Sequence, residues 1–160
     1  KMEVKSVLSV IAIFLFLIIG FGNAEECLRG PALKQNDRVT LSNCEKPPCI
    51  LKKKTTTTVD LKFTPKQDVN KMTNSVHALI LGVPFPFIGV DGENVCDKIY
   101  DAKSGDKTSC PLKAGNEYLY KDQFKILDVY PKINVNVHWA LKNEKDQDVL
   151  CFEVPAKIVS

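Results

Sequence analysis

Six cysteines and two histidines are the residues whose chemistry could reach beyond packing in this chain of 160 residues. Cys27, Cys44, Cys49, Cys96, Cys110 and Cys151 could close disulfides, ligate a metal or supply a nucleophile. A zinc site needs cysteine and histidine ligands at short spacings, and neither His77 nor His138 stands at such a spacing from a cysteine. An even cysteine count in an exported chain reads instead as a disulfide framework. Fifteen pairings of six cysteines exist. Cys44-Glu45-Lys46-Pro47-Pro48-Cys49 favours a local bridge, because two prolines hold the loop tight. Cys96 and Cys110 flank the polar stretch Asp97 to Ser109, whose Ser104-Gly105-Asp106 reads as a turn, and a bridge there would pin it. Cys27 and Cys151 remain, near the two ends of the mature chain. Loop-closure entropy favours short pairs only weakly, so spacing leaves the other pairings open.

Catalytic constellations are missing. The sequence has no Gly-x-Ser-x-Gly, no glycine-rich phosphate loop and no His-Glu-x-x-His. His77 precedes a proline-rich stretch with no nucleophile assigned to it, and His138 falls on the polar parity of its strand, where exposure is expected. Both read as structural histidines. The acidic residues scatter across turns such as Asp91-Gly92 and Asp146-Gln147-Asp148, as solvated turn residues do. The expectation is a protein that is not an enzyme and carries no cofactor and no metal.

The net charge is +3, with Lys52-Lys53-Lys54 as the basic run. Without interleaved aromatics it does not describe a nucleic-acid surface. It reads as a solvated strand end, with a supporting role against anionic lipid head groups. Val7 to Phe21 is an apolar run preceded by Lys1, Glu3 and Lys5, shorter than the roughly 20 apolar residues of a membrane span. Gly22 and Ala24 are small residues at cleavage positions. Residues 1–24 are therefore expected to be a signal peptide, and 25–160 a single secreted, monomeric domain.

The elements that must position these residues are nearly all strands. Val39 to Ser42 is a short one. Thr55 to Phe63 alternates, with Thr57, Val59, Leu61 and Phe63 on one face. Lys66 to Ser75 is polar and predicts a turn or short helix. Val76 to Leu81 is a β-rich apolar run that ends at Gly82, and Val83-Pro84-Phe85-Pro86-Phe87 should follow as an extended, proline-stiffened apolar loop. Glu117 to Tyr130 places Tyr118, Tyr120, Phe124, Ile126 and Tyr130 on one parity, broken near Lys121-Asp122. Ile133, Val135, Val137, Trp139 and Leu141 alternate cleanly with polar residues, and Val149 to Val159 returns after a charged turn, making a hairpin. Short strands at regular spacing predict an all-β, two-sheet sandwich. The apolar residues on these faces exceed what a thin core needs. Sheets packed face to face lie about 10 Å apart, and a wider gap would make an apolar cavity able to bury most of a small ligand.

The residues also carry a resemblance. Ser42-Asn43-Cys44 through Pro48-Cys49, Val76-His77 through Phe87, Cys110-Pro111, Tyr130-Pro131, Val137-His138-Trp139 and Cys151-Phe152-Glu153-Val154-Pro155 through Ile158-Val159 together resemble the Niemann-Pick type C2 family of the lipid-recognition (ML) domains, across the whole mature chain. The resemblance implies an immunoglobulin-like two-sheet β-sandwich with an apolar cavity between the sheets, and the disulfides Cys27–Cys151, Cys44–Cys49 and Cys96–Cys110. It implies non-catalytic binding of a sterol and its transfer to membranes or a receptor. The family's pocket falls on Phe87, Ile126 and Tyr130, with Val59, Val83, Trp139 and Phe152 close by and Phe85 and Ile88 at the mouth. Ile126 stands where the family has valine, Phe152 where it has tryptophan, and Phe85 where it has a smaller aliphatic residue. Such changes resemble insect members, among which are extracellular carriers of fatty acids and semiochemicals; an innate-immune module recognising microbial lipid is the alternative function of a different class. The implied location is extracellular, with lysosomal delivery as a second destination, although no Asn-x-Ser/Thr sequon is present to carry a glycan tag.

Overall fold

The computed structural model describes residues 27–29 and 38–160. The expected signal peptide lies outside them. Among the described residues eleven strands make two sheets: β1 (Leu28–Arg29), β2 (Val39–Leu41), β3 (Cys49–Lys52), β4 (Thr56–Phe63), β5 (Met72–Ile80), β6 (Val83–Pro86), β7 (Ile99–Asp101), β8 (Lys107–Thr108), β9 (Tyr118–Lys125), β10 (Asn134–Asn143) and β11 (Asp148–Val159). One sheet runs β1-β11-β10-β5-β6, with β3 also paired to β11; the other runs β2-β4-β9-β7-β8. The only helical element among the described residues is a 3₁₀ turn, Cys96–Lys98. This is the expected immunoglobulin-like sandwich.

Period-two patterning sets the layers. On β4, Thr57, Val59, Leu61 and Phe63 are buried; on β10, Val135, Val137, Trp139 and Leu141 are. Successive side chains of a strand point to opposite faces, so each run commits one face to the gap between the sheets. The largest fully buried side chains are Trp139, Tyr120 and Phe152, one from each of β10, β9 and β11. Removing an aromatic side chain from such a site costs about 3–5 kcal/mol.

Two expectations are corrected. The stretch Val83 to Pro86 is not a loop but strand β6, antiparallel to β5 at the free edge of its sheet. The Phe87 N–H donates to the Val76 carbonyl at 3.0 Å. By strand alternation the nitrogens of Pro84 and Pro86 then face away from β5, where no ladder donor is needed. The two-residue turn of this hairpin is Leu81-Gly82, with φ of 51° and 81°, the left-handed pair that a type I′ turn requires. The second correction concerns the polar stretch before Val76. Strand β5 begins at Met72, and Met72 and Asn74 are buried, because β10 supplies ladder partners as far as Asn143. The turn expected at Ser104-Gly105-Asp106 lies between β7 and β8, where the Gly105 N–H donates to the Asp101 carbonyl at 2.9 Å.

The disulfides join Cys27–Cys151, Cys44–Cys49 and Cys96–Cys110. They fasten what the ladders hold weakly. Strand β1 has two residues and pairs parallel to β11; Cys27 ties it down next to Cys151. Strand β3 is a second short parallel strand on β11, and Cys49 anchors its start.

The sequence separations, 124 for Cys27–Cys151 against 5 for Cys44–Cys49, set an order of stability. Closing a loop of about 100 residues stabilises by about 4–5 kcal/mol in the chain-entropy account, and short loops contribute less. The double variant Cys27→Ser, Cys151→Ser should therefore melt well below Cys44→Ser, Cys49→Ser in a calorimetric scan. The reverse order would show that the Cys27–Cys151 bridge does not stabilise through the long loop it closes.

Candidate functional site

The site is built from one file of aromatic rings lying between the sheets. Trp139 stacks on Phe152 with centroids 6.2 Å apart and planes 10° from parallel. It meets Phe124 at 5.3 Å. Phe124 meets the edge of Phe87 at 5.8 Å, and Phe87 meets Tyr130 at 5.5 Å, both nearly perpendicular. The file crosses from β11 through β10 and β9 to the segment after β6. Ring pairs of this kind add about 0.5–1.5 kcal/mol each beyond their buried area. A cavity of about 20 Å³ opens beside it, lined by Leu51, Phe124, Val137, Trp139, Phe152 and Val154 among others. That is room for about one water molecule, so a larger guest at this place requires the rings to part.

The file ends at a rim. Tyr130 is half-buried, and its hydroxyl accepts the Ile88 N–H at 2.9 Å. Burial pushes the Tyr130 phenol above its usual range, against the downward pull of that bond. Phe87 itself is fixed by its ladder bond to Val76 and by a turn in which its carbonyl accepts from Val90 and Asp91. The Asp91 carboxylate in turn accepts the Val76 N–H at 2.7 Å. Val83, Phe85 and Ile88, close to Phe87 in the chain, and Val129, next to Tyr130, are exposed, and Leu81 is exposed at the turn of the β5–β6 hairpin.

Of the sequence-derived site residues, Phe87, Trp139, Phe152 and Tyr130 share the ring file. Val59 and Ile126 are fully buried in the same core, outside the lining of the small cavity. Val83 is 53% exposed and Phe85 is exposed on the edge strand β6, and Ile88 is exposed just after Phe87.

A polar chain inside the sandwich was not legible in advance as a unit. Lys98 Nζ donates to Asp122 Oδ2 at 2.9 Å, the Tyr120 hydroxyl donates to the same oxygen at 2.6 Å, and Asn74 Nδ2 donates to the Tyr120 oxygen at 2.8 Å. Burial, followed by the carboxylate beside it, pushes the Tyr120 phenol far above its usual range. The one hint in the sequence was the break in apolar parity at Asp122. That residue keeps its inward parity, opposite Val59, and its side chain is 8% exposed.

The outer face of the larger sheet carries the histidines. His77 and His138 face each other across β5 and β10 and stack at 4.5 Å. His138 is not exposed as its parity suggested, since its side chain is only 16% exposed. Its Nδ1 lies 3.4 Å from Glu153, which also accepts from Arg29 and Asn136. Cys27, Cys151 and His138 approach one another closely, but both sulfurs are bonded to each other and offer no thiolate to a metal.

An all-β sandwich with a closed file of aromatic rings, leading to an apolar rim, is a binding protein for apolar guests rather than a scaffold for acid-base chemistry. The comparisons with known proteins place it more narrowly. The family model for the ML domain matches residues 23–158. The chain is 36% identical over 110 residues to the ecdysteroid-regulated 16 kDa protein of Manduca sexta, covering 69% of this chain and 70% of the relative. It is 33% identical over 123 residues to NPC intracellular cholesterol transporter 2 homolog a of Drosophila melanogaster, covering 76% and 78%. Its fold matches the crystal structure of a Niemann-Pick type C2 protein from the Japanese carpenter ant with a TM-score of 0.64 at 32% identity, covering 76% of this chain and 89% of that one. The chain belongs to the ML domain family, whose members are lipid-binding and non-catalytic.

The histidine pair gives the fold an acid-side slope. Burial, then the charge of His138, hold His77 below the usual 6.5, against Asp91 and Glu153, which pull it up, with Lys142 also lowering it. Below pH 6.5 the unfolded chain therefore takes up a proton that the folded chain refuses, and stability falls with pH. Glu153 acts lower: desolvation pushes it up, but the bonds from Arg29, His138 and Asn136 outweigh it and hold it below the usual 4.5. Its contribution is present above that value and is lost as pH falls through its lowered pKa. His77→Gln should flatten the fall of melting temperature between about pH 7 and pH 5. Parallel curves for the variant and the native chain would rule out His77 as its source.

Proposed function

We propose that the protein is a secreted lipid carrier that takes a sterol between its two sheets and passes it to membranes or to a membrane receptor. The observation that carries this reading is the ring file from Phe152 to Tyr130, which ends at an exposed apolar rim. Stacked, rigid apolar walls suit a flat, rigid, largely apolar guest, because little side-chain entropy is lost on enclosing it. The edge-on contacts of Phe87 with Phe124 and Tyr130 are the joints at which the file can open. Phe87, Ile126, Tyr130, Trp139, Phe152 and Val59 would then wall the filled pocket. The mouse relative is named an intracellular cholesterol transporter and the Drosophila relative a homolog of it, which supports the choice of ligand class. The function fits an extracellular or lysosomal fluid, and no helix among the described residues is long and apolar enough to cross a membrane.

The rim supports transfer by contact. Leu81 is fully exposed in a left-handed conformation, which costs a branched apolar residue roughly 1–2 kcal/mol. Folding gains nothing from leucine there. Together with Val83, Phe85 and Ile88 it forms an apolar fringe on a short hairpin stiffened by prolines, which loses little entropy on docking.

The reading is tested by titrating the secreted protein with cholesterol and with a long-chain fatty acid. Tight fatty-acid binding without sterol binding would transfer the function to a carrier of fatty acids or semiochemicals. Ile88→Lys, at a position 62% exposed, should slow sterol transfer between vesicles severalfold and leave equilibrium binding unchanged. Equal loss of both would move Ile88 from the mouth into the pocket wall. Leu81→Asn should raise stability by about 1 kcal/mol, the relieved conformational strain, while slowing transfer. An unchanged transfer rate would remove the hairpin tip from the docking surface.

A further inference from the structure

We propose that the outer face of the smaller sheet, around Arg38, Lys62, Lys107, Lys121 and Lys125, binds a linear sulfated polysaccharide. The protein would thereby be held at an extracellular matrix while the space between its sheets stays free. This goes beyond the lipid-carrier reading and takes from it only the extracellular setting.

Strand register gathers these cations. On β4, Thr56, Thr58, Asp60 and Lys62 alternate with the inward residues, and on β9 Leu119, Lys121, Gln123 and Lys125 do the same. The Lys62 N–H donates to the Arg38 carbonyl at 2.8 Å, which sets Arg38 beside Lys62, one place before Val39 meets Leu61. Lys62 faces Leu119, Leu119 faces Tyr100, and Tyr100 faces Lys107. One row thus crosses the whole sheet from Arg38 to Lys107. Lys121 stands on the next row, its Nζ held 5.4 Å from the centre of the Tyr100 ring. Lys125 lies further along β9, opposite Thr56.

The charges are left without partners. Arg38, Lys62, Lys107 and Lys125 form no ion pair among the described residues, whereas Lys54, Lys98, Lys113 and Lys142 each meet an aspartate and Arg29 meets Glu153. Asp60, opposite Lys121, is the acid inside the rows. Asp106 and Glu117 stand at the margin, each one residue before a strand. Like charges directly opposite each other destabilise a sheet, so the fold gains nothing from placing Arg38 beside Lys62.

The layout selects the partner. Strand spacing puts Arg38 and Lys107 about 19 Å apart across the sheet, and four residues of β9 put Lys121 and Lys125 about 13 Å apart. Side chains on one face of a sheet stand roughly perpendicular to it, so these cations are spread over a surface and do not converge on a point. A single small anion would reach one or two of them. An extended chain carrying repeated negative groups reaches most of them at once and gains further from the counterions it releases. An anionic membrane suits the face less well. The exposed large apolar residues are Ile50, Leu81, Val83, Phe85, Ile88 and Val129, and none of them belongs to these rows, so no apolar side chain would insert below the head groups.

The test titrates the full secreted chain with heparin, with dextran sulfate and with uncharged dextran over a range of salt. Both sulfated chains should bind and dextran should not. The triple variant Lys62→Gln, Lys107→Gln, Lys125→Gln should bind heparin about tenfold more weakly, and its dependence on salt should flatten by roughly one unit of slope for each lysine removed. The control is Lys46→Gln, Lys145→Gln, Lys157→Gln, which removes the same charge from exposed positions elsewhere and should keep near-native affinity. Equal loss in the control, or no heparin binding by the native chain, overturns the proposal. So does binding to phosphatidylserine vesicles that the first triple variant loses while heparin is not bound, since the face would then be a membrane contact. Titration with cholesterol separates this from the carrier reading. The first triple variant should bind cholesterol as the native chain does, and a native chain that binds heparin through these lysines but takes up no lipid keeps the polysaccharide face and overturns the carrier.

Discussion

The face of β10 that looks across the sandwich is the constraint on which the remaining structure depends. Val135, Val137, Trp139 and Leu141 project from it into the gap, and β10 is also the strand that joins β11 on one side to β5 on the other. A one-residue slip of either pairing would turn Trp139 to the outside and bring His138 inside. Register and core are thus the same decision. Trp139 then sets the spacing of the sheets through Tyr120 and Phe124 opposite and Phe152 beside it.

A gap filled by large rings behaves differently from one filled by branched aliphatic residues. Rings in perpendicular contact share little area and can separate along their edges, whereas interdigitated aliphatic cores resist any opening. The small cavity of about 20 Å³ and the binding of a larger apolar guest are compatible on these terms. The moving parts are few, because Phe87 is held by the β6 edge and Tyr130 by the Ile88 N–H. The remaining sheet edge on this side is guarded by Pro84 and Pro86, which keep their nitrogens off the ladder and discourage pairing with another chain.

Polar groups inside an apolar gap demand an account of their own. The chain Lys98–Asp122–Tyr120–Asn74 places a charged pair next to the rings and satisfies most of its atoms. The Lys98 end remains partly exposed, so the charge is not stranded in the core and the desolvation cost stays moderate. The outer face of the larger sheet solves a similar problem with Glu153, which takes bonds from three directions.

The sequence by itself determined the all-β class, the inward faces of β4, β9 and β10 and the absence of a catalytic constellation, because strand patterning is local and repeats every two residues. The motifs around Cys44, Phe87, Trp139 and Cys151 carried the family. Spacing alone left the cysteine pairing open, since loop closure discriminates weakly between short and long bridges. Tertiary structure decided what depends on a partner far along the chain. Met72 to Ser75 became strand because β10 offered a ladder. Val83 to Pro86 became an edge strand because one side of it needed no donors. His138 was covered by His77 and Glu153, neither of them adjacent in sequence. Asp122 looked like a fault in the pattern until Tyr120, Lys98 and Asn74 came together around it, for a buried carboxylate is stable only where the fold delivers its partners.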